Sequence, residues 1–257
     1  MIESFLSKMA IWAWVIVAIV LLILIILSVG LRRLNFPRKV SPEGLEDDEV
    51  VLAYDKISRW PQFKLLRWLI VTELKRHNPD GILADVGCGP GYLIAVMAKS
   101  LPNLSIIGVD ISQEMVQKAA QNLSSLGLAE KVSFRQGDIQ KLPFEANSLD
   151  FVVSTFSLHH WSEPNQALHE IYRVLKPGGQ FLIFDLRRDS RRLFYWLIKF
   201  AQTFVIPSVM KRAKEPTGSL LASYTPVELE AFLSKTSFKQ KKIKPGIGWL
   251  FVLGRKD

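Results

Sequence analysis

The stretch "DVGCGPG" (Asp85 to Gly91) sets three glycines, Gly87, Gly89 and Gly91, at every second position behind an acidic residue. Glycine removes the side chain and admits left-handed backbone, so such a turn lets a ligand lie directly on the main chain. Neither phosphate signature is complete. The sixth position counted from Gly87 is Tyr92, where a dinucleotide loop needs glycine, and no Gly-Lys-Ser/Thr follows. A ligand lying flat over the turn is expected rather than one cradled by its phosphates. Two further acids end apolar runs. Asp110 closes "SIIGVD", where a carboxylate can accept from two ribose hydroxyls, and Asp138 closes "VSFRQGD", where one can accept from an adenine amino group. Past the next run, in "LDFVVSTFSLHHW", the adjacent His159 and His160 are the available bases. The other two histidines are scattered, and no metal is expected. Cys88 is the single cysteine, so no intramolecular disulfide can form, which fits a reducing compartment.

These residues need a frame that brings strand ends together. Strand-like runs ("ILADV", "LSIIGVD", "VSFRQGD", "LDFVVSTF", "GQFLIFDL") alternate with helix-like ones ("YLIAVMAKS", "SQEMVQKAAQNLSSLG", "EPNQALHEIYRVLK"). Alternation of this kind implies an α/β fold, a parallel sheet covered by helices on both faces. Ahead of it, "VVLAYDKISRWPQFKLLRWLIVTELKRH" has helical spacing broken near Pro61, with Leu65, Trp68, Leu69 and Thr72 on one face.

The 257 residues are 49% hydrophobic, which suits one globular domain plus an extra apolar element. From Met9 to Leu31 there is no charged residue. As a helix this run would be about 34 Å long, enough to cross a hydrocarbon core of roughly 30 Å. The run exceeds a signal-peptide core and Glu3 weakens a positive leader, so a transmembrane anchor over residues 1–31 is expected. Arg32, Arg33, Arg38 and Lys39 follow the span against Lys8 before it, which places the remainder on the cytoplasmic side. Residues 32–49, polar with two prolines, are expected as a linker, and 50–257 as the domain. Net charge is +4 over 1–40, −5 over 41–186 and +10 over 187–257. Beside an anchor, that basic excess suits an anionic lipid surface at least as well as nucleic acid.

With "LADVGCGPGYL", "IIGVDIS", "QGDIQKLPF", "LDFVVSTFSLHHW" and "EIYRVLKPGGQFLI" in this order, residues 50 to 254 resemble the class I S-adenosylmethionine-dependent methyltransferases. The closer likeness is to the branch that includes the ubiquinone and menaquinone biosynthesis methyltransferases. The resemblance implies a Rossmann-like, seven-stranded, mostly parallel sheet whose last strand, "WLFVLGR", is antiparallel. It implies S-adenosylmethionine as cofactor, with Asp85, Gly87, Cys88, Gly89 and Gly91 at its methionine moiety and Asp110 at the ribose. Ile111 and Met115 would face the adenine, Asp138 and Ile139 would meet its edge, and Tyr54 and Ser154 are candidates for the amino-acid end. "LKPGG" is implied as a structural turn. His159 is the candidate catalytic base, needed if the acceptor must lose a proton; otherwise the two histidines would pack under the sheet edge and cap the next helix.

The family's DNA-modifying members are disfavoured. "STFSLHH" lacks the Asn/Asp-Pro-Pro-aromatic stretch of amino-methylation, and Cys88 is in the wrong place for a nucleophile. A hydrophobic small molecule such as a quinol, phenol or lipid is the expected acceptor, and no nucleic acid. A cofactor-binding membrane partner without turnover is the alternative. Residues 187–226 form the segment most open to variation. Within it Leu193 to Met210 is apolar apart from Lys199, Gln202, Thr203 and Ser208, and suits either an inward-packed lid or a helix in the bilayer interface, flanked by Arg187, Arg188, Arg191, Arg192, Lys211 and Arg212.

Overall fold

The computed structural model describes residues 2–40 and 48–257; residues 41–47 of the expected linker and Met1 of the expected anchor lie outside them. The strands are β1 (Ile82–Val86), β2 (Ser105–Asp110), β3 (Val132–Gln136), β4 (Leu149–Thr155), β5 (Leu175–Leu186), β6 (Gln240–Pro245) and β7 (Trp249–Arg255). They form one sheet in the order β3-β2-β1-β4-β5-β7-β6. β1 to β5 pair in parallel, while β7 runs antiparallel to both β5 and β6. The expected architecture of the sheet is therefore observed. Neighbouring residues of each strand feed opposite layers, as the two-residue period of a strand requires. Leu83, Ile106, Phe151 and Leu182 join one core, and Ala84, Val109, Val152 and Ile183 the other.

The first core is closed by α3 (Pro61–Lys75), α4 (Tyr92–Ser100) and α5 (Gln113–Ser125), the second by α6 (Pro164–Val174) and α10 (Pro226–Ser234). In α3 the face that carries Leu65, Trp68, Leu69 and Thr72 meets the core only through Leu69. Leu65 and Trp68 are 64% and 61% exposed, and the sheet is met instead by Ile70, Val71 and Leu74. The run carries two apolar stripes, and periodicity alone does not say which one packs. β3 also ends earlier than expected, at Gln136, so Asp138 lies in the turn beyond it. Leu175 opposes Leu149 and Gln180 opposes Phe151, so residues 176–179 bulge out as a turn, with Gly178 at φ +81°.

Two further groups of helices gather at the carboxyl edge of the sheet. One is α2 (Asp48–Ser58), which packs with α8 (Ser208–Arg212) in a small separate apolar cluster. The other comprises α7 (Arg192–Phe204) and α9 (Thr217–Ala222). The expected apolar helix over 193–210 is thus broken. Pro207 lacks the amide that would continue it, and α8 starts at the next residue.

Ahead of the domain, α1 (Ile2–Gly30) is a continuous helix of 29 residues, about 43 Å at the usual rise. Its side chains are described without a break only from 14 to 26, and among the described residues no helix is long and apolar enough to cross a membrane. Every side chain from Trp14 to Ile26 is exposed. The end of α1 packs against α7, and a Cβ on Gly30 would stand 3.2 Å from that of Leu193. Residues 31–40 then run along the domain as a strap. The Arg192 amide donates to the Arg32 carbonyl (2.9 Å), Leu34 to Ser190 (3.0 Å) and Lys39 to Leu221 (3.0 Å).

Candidate functional site

Parallel pairing brings the carboxyl ends of β1, β2 and β4 side by side, and the loops that leave them build one site. After β1 the turn is held by its own backbone, with the amides of Gly87 and Cys88 donating to the Val109 carbonyl at 2.8 and 3.0 Å. Gly87, Gly89 and Gly91 all have positive φ, at +73°, +50° and +79°. Their reasons differ. A Cβ on Gly87 would meet the Ser157 side chain at 2.7 Å, and one on Gly91 would strike Leu123 at 2.7 Å and crowd the Ala119 backbone at 3.3 Å. Those two glycines let protein pack on protein. Only Gly89 opens toward free space, with the Tyr54 ring nearest at 3.7 Å. The expectation that all three clear room for the ligand is corrected to Gly89 alone.

Asp110 closes the far side of the turn. One oxygen accepts from the Gly89 amide (2.8 Å) and the other from Ser112 (3.1 Å), so the carboxylate is fixed with lone pairs left for a ligand. Burial raises its pKa above the ordinary range against the pull of those amides. Asp85 is 1% exposed and neither of its oxygens has a hydrogen-bond partner. Burial, then the neighbouring Asp110, pushes its pKa up to about 8. A buried carboxyl without a partner is costly unless a ligand supplies one. The cationic ammonium of an amino-acid moiety is a fitting partner, so the residues present fit S-adenosylmethionine.

On the side expected to meet the adenine, the four residues differ in exposure. Ile111 is 51% exposed beside Asp110, free to lie against a flat ring. Met115 and Ile139 are buried beneath, and the Met115 amide is capped by the Ser112 hydroxyl (3.1 Å). The Asp138 carboxylate accepts from the Gln140 amide at 2.9 Å, which closes its own turn. Ser154 is buried, and its hydroxyl donates to the Val86 carbonyl at 2.7 Å, bracing β4 on β1. Cys88 is buried within the turn; burial first, then Asp110 and Asp85, raise its pKa, which keeps it a thiol.

Over the loop stands α2. Asp55 ties it down, accepting from the Tyr92 hydroxyl (2.9 Å), Asn122 (2.8 Å) and Arg59 (2.6 Å). That places the half-buried Tyr54 against Gly89. Burial, followed by Glu215, Asp110 and Asp185, pushes its phenol up to about 12, so it stays protonated.

The candidate base, His159, lies on a 3-10 turn over Leu158–His160, just past β4. Asp185, near the end of β5, accepts from the His159 amide (2.9 Å), and its two oxygens lie 2.8 and 3.0 Å from Nδ1. A carboxylate only accepts, so Nδ1 carries a proton, and in the neutral imidazole Nε2 keeps its lone pair. Nε2 is buried without a partner. Burial works to lower the His159 pKa, yet the Asp185 charge and hydrogen bond outweigh it and the net shift is upward. His160 goes the other way, to about 4, through burial and then the neighbouring His159. It caps no helix, since α6 begins after Glu163. From the strap, Arg38 donates to the His159 carbonyl (3.2 Å) and the Ala222 carbonyl (2.7 Å), with its guanidinium 4.2 Å from the Tyr224 ring centre.

Sequence reasoning missed Asp185, Asp55 and Arg38. Asp185 carried the signal that found Asp110, an acid at the carboxyl end of an apolar run, whereas nothing local marked the other two. Among the described residues no group of three or more His, Cys, Asp or Glu could hold a metal ion.

A family model described as a methyltransferase domain matches residues 84–183. The chain is 30% identical over 217 residues to the ubiquinone/menaquinone biosynthesis C-methyltransferase UbiE of Rickettsia bellii, covering 82% of this chain and 86% of that one. It is 28% identical over 194 residues to the demethylmenaquinone methyltransferase of Bacteroides fragilis, covering 72% and 76%. A solved structure of a SAM-dependent methyltransferase from Aquifex aeolicus shares the fold with a TM-score of 0.60, at 22% identity over 82% of this chain and 99% of that one. Together with the loop, the two buried acids and the strand order, these likenesses show that the chain belongs to the class I S-adenosylmethionine-dependent methyltransferases, in the branch that includes the ubiquinone and menaquinone biosynthesis enzymes.

Proposed function

We propose that the protein methylates a hydrophobic small molecule of quinol, phenol or lipid type while anchored to a membrane by α1, with residues 50–257 on the cytoplasmic side. One observation carries the reading of the chemistry: a buried imidazole, its Nδ1 held by Asp185 and its Nε2 without a partner, at the sheet edge that also carries the cofactor loop. The cofactor, when bound, supplies an electrophilic methyl group on a sulfonium. Asp85 would take the ammonium of its methionine end, Asp110 the ribose hydroxyls, and Ile111 one face of the adenine. A phenol becomes a strong nucleophile only as its O–H proton leaves. His159 accepts that proton at Nε2, and Asp185 stabilises the imidazolium that results. The apolar cluster of α2 and α8 excludes water from above. The names of the relatives, quinone-pathway methyltransferases, support an aromatic acceptor of this kind.

The anchor rests on the exposure of every described side chain from Trp14 to Ile26, a helix apolar all round, which suits a lipid environment better than water. Arg32 and Arg33 at its end support the cytoplasmic placement. The test is transfer of a labelled methyl group from S-adenosylmethionine into the organic phase of a membrane lipid extract. Label should appear with the wild type and fall to background with His159→Ala. Cofactor binding without transfer in any extract would instead favour a binding partner of another enzyme.

A further inference from the structure

α7 has the polarity of a soluble surface helix turned inside out. Its Gln202 is directed inward and bonds with Thr217 of α9, while Leu197, Phe200 and Phe204 are 60%, 59% and 72% exposed, with Trp196 beside them. These positions recur at helical spacing and make one outward apolar face. The rings of Phe200 and Phe204 lie 4.9 Å apart there, covering each other in place of any protein surface. A contiguous exposed patch of this kind marks an interaction surface.

Three observations identify what covers it. The face continues into α1: Gly30 sits against Leu193 and Trp196, and the Arg191 guanidinium donates to the Leu31 carbonyl at 2.6 Å, so the two helices are fixed to each other. Its surroundings are basic. Between residues 187 and 214 eight basic residues stand against one acid, Asp189. Arg187 and Arg188, expected among the flanking charges, are buried instead in pairs with Asp189 and Glu228, which leaves six, of which Arg212 pairs with Glu49 at 3.2 Å. Finally, α7 is the outer neighbour of α9, which packs on the turn carrying His159.

We propose that the outward face of α7 lies in the headgroup and acyl boundary of an anionic bilayer, at the foot of α1, so that the carboxyl edge of the sheet faces the lipid and the acceptor enters from it. This deepens the reading of α1 as an anchor and rests on it. Because β1, β2, β4 and β5 all end at that edge, the orientation of α7 fixes the orientation of the site. Leu126, between α5 and the start of β3, then points away from the membrane.

The test uses the full-length chain reconstituted in mixed phosphatidylcholine and phosphatidylglycerol vesicles, some containing nitroxide-labelled lipid. A polarity-sensitive fluorophore is attached in turn to Leu197→Cys, Ile19→Cys and Leu126→Cys; Cys88 is buried, and each variant is first shown to bind S-adenosylmethionine. The expected result is blue-shifted, nitroxide-quenched emission at positions 197 and 19, with water-like, unquenched emission at 126. Quenching at 19 but not at 197 would overturn the inference and leave the anchor standing. An unquenched but blue-shifted label at 197 would mean that protein covers the face, which also overturns it. Quenching at neither 19 nor 197 would remove the anchor as well.

Discussion

Affinity for S-adenosylmethionine should depend steeply on pH, and the cause is one side chain. In the cofactor-free protein Asp85 is held near pKa 8 by burial and by Asp110. At pH 6 only about one molecule in a hundred then carries it ionised. If the ionised carboxylate is what receives the cofactor's ammonium, the competent fraction limits apparent affinity. The bound cation favours the charged form, so binding lowers the pKa and releases a proton. Affinity must therefore rise with pH, about tenfold per unit. From pH 5 to 7, where the cofactor's own amino group stays mostly protonated, this amounts to roughly 100-fold, or about 2.7 kcal/mol. Calorimetry in buffers of different ionisation enthalpy measures both the slope and the proton released, and Asp85→Asn should flatten the profile. The same substitution should stabilise the cofactor-free protein at pH 8. There the folded state holds a proton that the unfolded chain sheds above its ordinary pKa, so the wild type loses stability as pH rises between the two values. A pH-independent dissociation constant in the wild type would refute this account of Asp85.

Other expectations follow from the geometry. Asp185→Asn removes the charge that raises the His159 pKa, so the acid limb of kcat, expected above pH 6.5, should move down and kcat should fall, with cofactor affinity unchanged by calorimetry. Gly91→Ala drives a methyl into Leu123 and Ala119 and should cost about 1–3 kcal/mol of stability in chemical denaturation. Gly89→Ala bears only the strain of its positive φ, with no atom nearer than 3.7 Å, and should cost less stability than Gly91→Ala while weakening cofactor binding; equal stability losses from the two would contradict their assigned reasons. Deleting residues 1–31 should leave a folded, cofactor-binding domain by circular dichroism and calorimetry. Deleting 1–40 also strips Arg38 from the His159 carbonyl, and should lower turnover further.

Much of this site was legible because parallel strands are buried on both faces and show as apolar runs, whose ends then stand out. Asp85, Asp110 and the His159 turn were found in this way. What escaped notice depended on contacts distant in sequence. Asp185 is 26 residues from His159 in the chain, and the bond that makes the imidazole a held base exists only after β4 and β5 pair. Gly87 and Gly91 looked like ligand clearance because a sequence does not show that Ser157 and α5 come to lie there. Nor does the helical spacing of α3 say which apolar residues are buried, since Leu65 and Ile70 are equally apolar and only the sheet distinguishes them.

The strap of residues 31–40 alters what an anchor does. A loose tether lets an enzyme sweep a hemisphere of solution around its attachment point. Here backbone bonds at Arg32, Leu34 and Lys39 fasten the first ten residues after α1 to the domain, and Arg38 reaches the carbonyl of His159 itself. With α1 in a membrane, the catalytic domain rides at one height and one tilt, like a tool on a fixed mount. Its acceptors must then meet it by lateral diffusion within that layer, and molecules whose reactive atom floats higher or lower pass out of range. Under the proposed anchoring, depth in the membrane would become a criterion of substrate choice, set by the strap.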